Sequence, residues 1–182
     1  MSFDISKFRS SGIINSGARP NLFDVTLTSP PAGVTGLGTQ FPFLCKIASI
    51  PPSTLGVIEV PYFGRIVKVP GNRTFDNLSL TVLNDEDFAI RNGIEQYMSL
   101  INQHEMNKSA QGGAGSDALF CGITITHYTR TGDSIKSGGW KFYSAFPVAL
   151  GEIGLDWGSN DTIEEYSIDF AYDYWKHGEI TK

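Results

Sequence analysis

Hydrophobic and polar residues alternate along most of the chain. Phe23, Val25 and Leu27 interleave with Asp24, Thr26 and Thr28, the period of two that a half-buried strand requires. A turn rich in Pro and Gly follows from Pro30 to Gly38. Phe41, Phe43, Cys45 and Ile47 then share one face of a second strand, expected to return antiparallel to the first. Pro51 and Pro52 end it, because proline gives a strand ladder no N–H. Two short strands are predicted near Leu55–Val60 and Phe63–Val69, with Pro61 and Pro70 flanking the second. Leu78, Leu80 and Val82 alternate with Asn77, Ser79 and Thr81 in the next.

The period then changes. Ile90, Ile94, Tyr97, Met98 and Ile101 form one apolar stripe at helical spacing. Asn84 is a good N-cap, and Asp85, Glu86 and Asp87 suit the positive end of a helix dipole, so a helix is predicted over about 85–106. Gly93 inside it weakens it by about 1 kcal/mol relative to Ala. Lys108–Asp117 reads as a Gly-rich loop. Strands resume with Leu119, Cys121, Ile123 and Ile125. After a turn at Gly132–Asp133 comes a partner strand with Trp140, Phe142, Ser144 and Phe146 on one face. An extended segment, Val148–Trp157, and a turn over 158–161 follow. In the last strand Tyr166, Ile168, Phe170, Tyr172 and Tyr174 oppose Glu165, Ser167, Asp169, Ala171 and Asp173. The expected fold is mainly β: an antiparallel β-sandwich or partial barrel with one flanking α-helix. It forms a single domain over 19–175, with an N-terminal arm, 1–18, expected to be mobile in the free subunit, and a C-terminal tail, 176–182.

Composition narrows the function. The chain has 182 residues and a formal net charge of −5, with only 18% charged but 12% aromatic residues. So low a charge density suggests that another protein covers part of the surface. Lys and Arg are scattered, which argues against phosphate binding. No run of about 18 apolar residues is present, so no membrane span is expected. Met1–Gly12 lacks the apolar stretch of a signal peptide, so an intracellular product is expected. Cys45 and Cys121 each sit in apolar runs and read as buried small hydrophobes. His104, His127 and His177 have no ligand spacing, and no HExxH, CxxC or phosphate-loop pattern occurs. No metal, cofactor or catalytic residue is therefore assigned.

Several segments resemble the tail tube protein of contractile-tailed bacteriophages. They are Arg19–Phe23, Cys45–Lys46, Gly71–Asp76 leading into Leu80–Glu86, Gly151–Ile153 with Leu155–Asn160, and Phe170–Trp175. They stand in the family's order, although Ser29–Gln40, Lys108–Asp117 and Lys176–Lys182 depart from its pattern. The resemblance implies a non-enzymatic virion protein, made in the host cytoplasm, that stacks as hexameric rings into a hollow tube. Its implied partners are copies of itself, a contractile sheath, baseplate and terminator proteins, and double-stranded DNA in transit without specific binding. It also implies that the hairpin around Ile58–Val67 reaches a neighbouring ring.

The candidate subunit or ring interface residues are accordingly Arg19, Asn21, Phe23, Val60, Tyr62, Phe63, Arg65, Lys68, Arg73 and Asp76. Apolar groups beside a turn suggest a partner, and Arg65 and Lys68 are placed to pair with acids across that junction. Glu165, Asp169 and Asp173 are candidates for a lumen or sheath-facing surface, or for an ordinary solvated face. Trp157 and Trp175 are expected to anchor the core or a subunit junction. A tube of a secretion or bacteriocin-type injection system fits equally. A carbohydrate-binding sandwich using Trp140, Tyr143 or Trp157, and a hydrolase using paired acids, stay open as alternatives.

Overall fold

The computed structural model describes residues 17–38, 40–109 and 117–178. Most of the N-terminal arm, the centre of the Gly-rich loop and the end of the C-terminal tail lie outside them. Among the described residues nine strands, two α-helices and one 3-10 turn (Asp117–Leu119, just before β6) follow in the order β1 (Phe23–Thr28), α1 (Phe41–Leu44), β2 (Cys45–Ser49), β3 (Ser53–Tyr62), β4 (Arg65–Phe75), β5 (Leu78–Leu83), α2 (Ala89–Ile101), β6 (Cys121–Tyr128), β7 (Ser134–Leu150), β8 (Glu165–Ala171) and β9 (Tyr174–His177). All pairings are antiparallel.

The 17-residue strand β7 belongs to two half-sheets. Its N-terminal part lies between β6 and β9, with β1 beyond β6. Its C-terminal part, Phe146–Leu150, pairs with β8, which pairs with β5 and then β2. The change occurs at Ser144, held at φ 56°. This left-handed residue inserts an extra position, so Phe142 and then Ala145 face the core, both fully buried. The expected shared face of Trp140, Phe142, Ser144 and Phe146 is broken there.

Apolar residues from both half-sheets and α2 meet in one core. Val25, Ile123, Ile125 and Phe142 come from one side, and Leu80, Val82, Ile168 and Phe170 from the other. Ile90, Ile94 and Tyr97 of α2 close it. Tyr97 is wholly buried, and its hydroxyl donates to the Leu119 carbonyl at 2.6 Å, so the ring brings no orphaned polar atom into the core. Cys45 and Cys121 are buried free thiols.

Several expectations are corrected. The strand expected from Phe41 is a helical turn: Pro42 sits in its first turn, Phe41 is buried and Phe43 is 85% exposed. The strand itself starts only at Cys45. The first two strands do not pair, since β1 joins β6 and β2 joins β5. The helix runs over Ala89–Ile101 rather than 85–106. Asn84 does not cap it: residues 85–88 close a turn first, the Phe88 N–H donating to the Asp85 carbonyl at 2.9 Å, and Phe88, at φ 51°, takes the cap position. Gly93 permits a close approach, because a Cβ there would lie 2.6 Å from the Thr35 carbonyl oxygen. Residues 151–164 form a loop rather than an extended strand. The final strand breaks after Ala171: Tyr172 is half-buried, and Tyr174 is exposed on β9.

Candidate functional site

The two short strands expected around residues 55–69 are one long hairpin. β3 and β4 stay in register from Ser53 opposite Phe75 to Tyr62 opposite Arg65, with one irregularity between Leu55 and Val57. At about 3.3 Å per residue the arm is about 30 Å long. Pro61 and Pro70 lie within it and do not end it, because each strand has an open edge on which a missing N–H is harmless.

Neither face of the arm is covered. Every residue of β3 is exposed, and on β4 only Gly71 and Phe75 are less than exposed. Leu55, Val57, Ile58, Val60, Ile66 and Val67 are each between 45% and 61% accessible. At the tip Tyr62 and Phe63 form an edge-to-face pair with ring centroids 4.8 Å apart, and Phe63 is 92% exposed. The turn Phe63–Gly64 has positive φ at both residues, 41° and 81°, the sign pattern of a type I′ turn. Asparagine is the usual first residue of such a turn, and here a bulky ring occupies that strained position. Lys68 lies 4.0 Å from Glu59, its cross-strand neighbour. Arg65 and Arg73 are also exposed on β4.

The arm is rooted at Phe75, whose ring packs against Tyr172 and Trp175 at 6.1 and 6.2 Å. The Tyr172 hydroxyl donates to the backbone carbonyl of Asp76 at 2.6 Å. Asp76 therefore anchors the root through its backbone while its side chain faces out. Arg19 and Asn21 are exposed in the turn before β1. Phe23 is half-buried against the protomer's own core, 6.4 Å from the His127 ring.

A second unsatisfied element is the half-sheet β7–β8–β5–β2. β2 and the C-terminal part of β7 each have a strand on one side only. Pro147 sits in the latter edge. The outer face carries Ser79 opposite Asp169, Thr81 opposite Ser167 and Leu83 opposite Glu165. Glu165 forms an ion pair with Lys46 of β2. Asp173 does not join this face. It lies in the kink between β8 and β9, where its N–H donates to the Tyr143 carbonyl at 3.1 Å.

The loop 151–164 holds Trp157, which is fully exposed and anchors no core. Trp175 does pack against the core. The aromatics of the carbohydrate alternative are not gathered into one platform. Trp140 sits half-buried between His127 and His177, at 5.2 and 4.7 Å, and Tyr143 stacks on Tyr174. Burial pushes the Cys45 thiol up to about 12 and the Cys121 thiol to about 11, so neither is a thiolate nucleophile at neutral pH. Among the described residues, no group of three or more His, Cys, Asp or Glu is placed to hold a metal ion.

Comparison with known proteins gives these surfaces a context. Residues 18–178 match the family described as phage tail tube protein. The tail tube protein gp19 of Enterobacteria phage T4 is 30% identical over 159 residues, 87% of this chain and 91% of that one. The tail tube protein of Serratia phage KSP90 is 26% identical over 170 residues, 92% and 93% of the two chains. In fold the chain resembles a component of the PVC sheath–tube complex, an extracellular contractile injection system, with TM-score 0.59 and 18% identity over 97% of this chain and 98% of that one. A chain of the anti-feeding prophage tube-terminating cap superposes with TM-score 0.65 and 18% identity, covering 91% and 93%.

Proposed function

The chain belongs to the phage tail tube protein family, and from that premise we propose that it polymerises as stacked hexameric rings into the inner conduit of a contractile tail. The β3–β4 arm carries this reading. A two-stranded hairpin is marginal at best in water, and one with both faces apolar and both edges open needs a partner to hold its shape. A second copy of the chain supplies one at no cost in specificity.

The half-sheet β7–β8–β5–β2 supports closure of the ring. Its two free edges are different strands, so pairing β2 of one copy with β7 of the next is heterologous. Such contacts close into a ring when the rotation per subunit divides a full turn. The joined half-sheets make a continuous barrel without edges. Its lumen is the outer face bearing Ser79, Thr81, Glu165, Ser167 and Asp169. Hydroxyls and carboxylates there let a polyanion slide, whereas clustered cations would hold its phosphates. Residues outside the barrel, with the sheath, baseplate and terminator as partners, complete the tail. The role is mechanical and involves no bond chemistry. A secretion or bacteriocin-type tube would use the same contacts; the match to phage tail tube proteins favours the virion.

Negative-stain electron microscopy of the purified chain tests this. Rings or hollow filaments of uniform width are expected. A protein that stays monomeric at every concentration, with and without baseplate seeds, refutes it.

A further inference from the structure

β7 crosses from one half-sheet to the other within two residues. Tyr143 is its last residue paired with β9, and Phe146 its first paired with β8. On its other side Ala145 faces Cys121 and Phe142 faces Ile123, so Tyr143 and Ser144 stand opposite Gly122 alone. A bulge of this kind bends its strand and interrupts the ladder that would otherwise hold the strand's direction. Ser144, at φ 56°, is strained as well, and such a residue persists only where its surroundings hold it.

Four buried groups meet at that bend. The Tyr97 hydroxyl, carried by α2, lies 2.6 Å from the Leu119 carbonyl oxygen and 3.2 Å from that of Ala145. The thiol of Cys121, the first residue of β6, donates to the Ala145 carbonyl at 3.2 Å. Leu119 belongs to the 3-10 turn that leads into β6. All four residues are at most 3% exposed. A hydroxyl has one proton and so has a thiol. The shorter contact takes the Tyr97 proton to Leu119, and Cys121 serves Ala145, so two donors satisfy two carbonyls. Burial raises both groups above their ordinary values, the Cys121 thiol to about 11, so both protons stay in place at neutral pH. This node ties α2, the entry to β6 and the bend of β7 through bonds of defined direction. Ile90 and Ile94, the other buried large side chains of α2, contribute only undirected apolar packing.

What the bend controls is the edge strand beyond it. Phe146–Leu150 has a neighbour, β8, on one side only, and that ladder is itself irregular between Pro147 and Ala149. Its inclination therefore depends on the direction in which β7 leaves Ala145. In the proposed ring this edge receives β2 of the next copy, so its inclination sets the turn from one subunit to the next. Six subunits need about 60° each and seven about 51°, a difference of about 9°. Over the roughly 15 Å of Phe146–Leu150, that angle shifts the strand's end by about 2 Å, close to half the spacing between neighbouring strands.

We propose that Tyr97 and Cys121 are positioning residues for ring closure: by holding the Leu119 and Ala145 carbonyls they fix the bend of β7, and with it the number of subunits at which the ring closes. This role rests on the tube reading and deepens it. Both side chains are buried and act on the next copy only through the edge strand.

Full-length Tyr97→Phe and Cys121→Ala each remove one donor and leave both sheet edges intact. Cys121→Ser keeps a donor. Ile90→Val removes one buried methylene from the same helix, about two turns from Tyr97, and so separates altered geometry from lost stability. Circular dichroism checks folding, and the Cys121 pair carries the test if Tyr97→Phe does not fold. End-on views in negative-stain electron microscopy count the subunits in each ring. In Tyr97→Phe and Cys121→Ala the share of rings with the wild-type subunit number is expected to fall at least about fivefold, the factor set by one neutral hydrogen bond, in favour of open arcs and rings of other counts. Cys121→Ser and Ile90→Val are expected to keep the wild-type number. Uniform wild-type rings in either donor-free variant, equal scatter in Cys121→Ser or Ile90→Val, or folded variants that do not associate at all overturn the role of the node while leaving the tube standing. Wild-type protein that forms no ring overturns the tube reading and the node's role together.

Discussion

Replacing Phe63 by asparagine moves two quantities in opposite directions. In the protomer the ring is 92% exposed, so its removal opens no cavity. The residue sits at φ 41° in a two-residue turn where an L side chain is strained by about 1–2 kcal/mol. Asparagine relieves most of that strain, since its short side chain tolerates the left-handed region. The free hairpin therefore gains about 1 kcal/mol. If Phe63 is buried at a subunit junction, as the proposed tube requires, the same change removes that ring from the assembled state, and full burial of a phenylalanine is worth about 1.5–3 kcal/mol. The assembly loses more than the hairpin gains. Hydrogen exchange should show hairpin amides protected about fivefold better in the unassembled variant. Sedimentation should show its critical concentration for polymerisation raised, by several-fold at least. A variant that polymerises as readily as the wild type would refute the assignment of Phe63 to a junction, because strain would then have no offsetting use.

Three further substitutions probe the frame that carries these surfaces. Gly93→Ala should destabilise the protomer by about 1–2 kcal/mol in urea unfolding, because the new Cβ meets the Thr35 carbonyl at 2.6 Å and overpacking outweighs the gain of about 1 kcal/mol in helix propensity; a raised midpoint would contradict this. Tyr97→Phe should cost about 1–3 kcal/mol, since it takes a donor from the buried Leu119 carbonyl at 2.6 Å, and an unchanged midpoint would show that carbonyl satisfied elsewhere. Burial between Phe23 and Trp140 holds His127 below its ordinary 6.5; the unfolded chain then binds more protons than the folded one as pH falls past 6.5, so melting temperature should drop from pH 7.5 to 5, and less steeply in His127→Gln.

What the sequence revealed depended on whether the deciding contact was local. The alternation Tyr166–Ile168–Phe170 and the stripe Ile90–Ile94–Tyr97 were legible because burial on one face imposes its own period, and all six are buried. The pairing of Phe23 with His127 was not, because it joins segments about a hundred residues apart and leaves no trace in either. Asp85–Asp87 imitated a first helical turn, but they close a separate turn onto Phe88 before the helix begins. Pro61 and Pro70 looked like strand limits, since sequence does not say that a strand has no neighbour on its outer side. Among the candidate residues, Val60, Tyr62 and Phe63 were recognisable as apolar groups at a turn. Trp157 was read as a core or junction anchor. Its exposure depends on the fastening of residues 151 and 164 by Arg91 and Asn84, side chains distant in sequence.

In the proposed tube the protomer's incompleteness is itself a physical requirement. Folding the hairpin back onto its own body would shield Ile58, Val60 and Ile66 and stabilise the single chain, yet it would leave the subunit with no free apolar end to add to a growing tube. Leaving it exposed creates the opposite hazard, since two bare edges invite pairing with any strand. The arm carries features that reduce that hazard. Pro61 and Pro70 interrupt both ladders for a would-be third strand, and Arg65, Lys68 and Arg73 make two hairpins repel each other. Rising salt should weaken that repulsion: screening at 1 M shortens the Debye length to about 3 Å, so disordered aggregates should gain on ordered assemblies as salt is added.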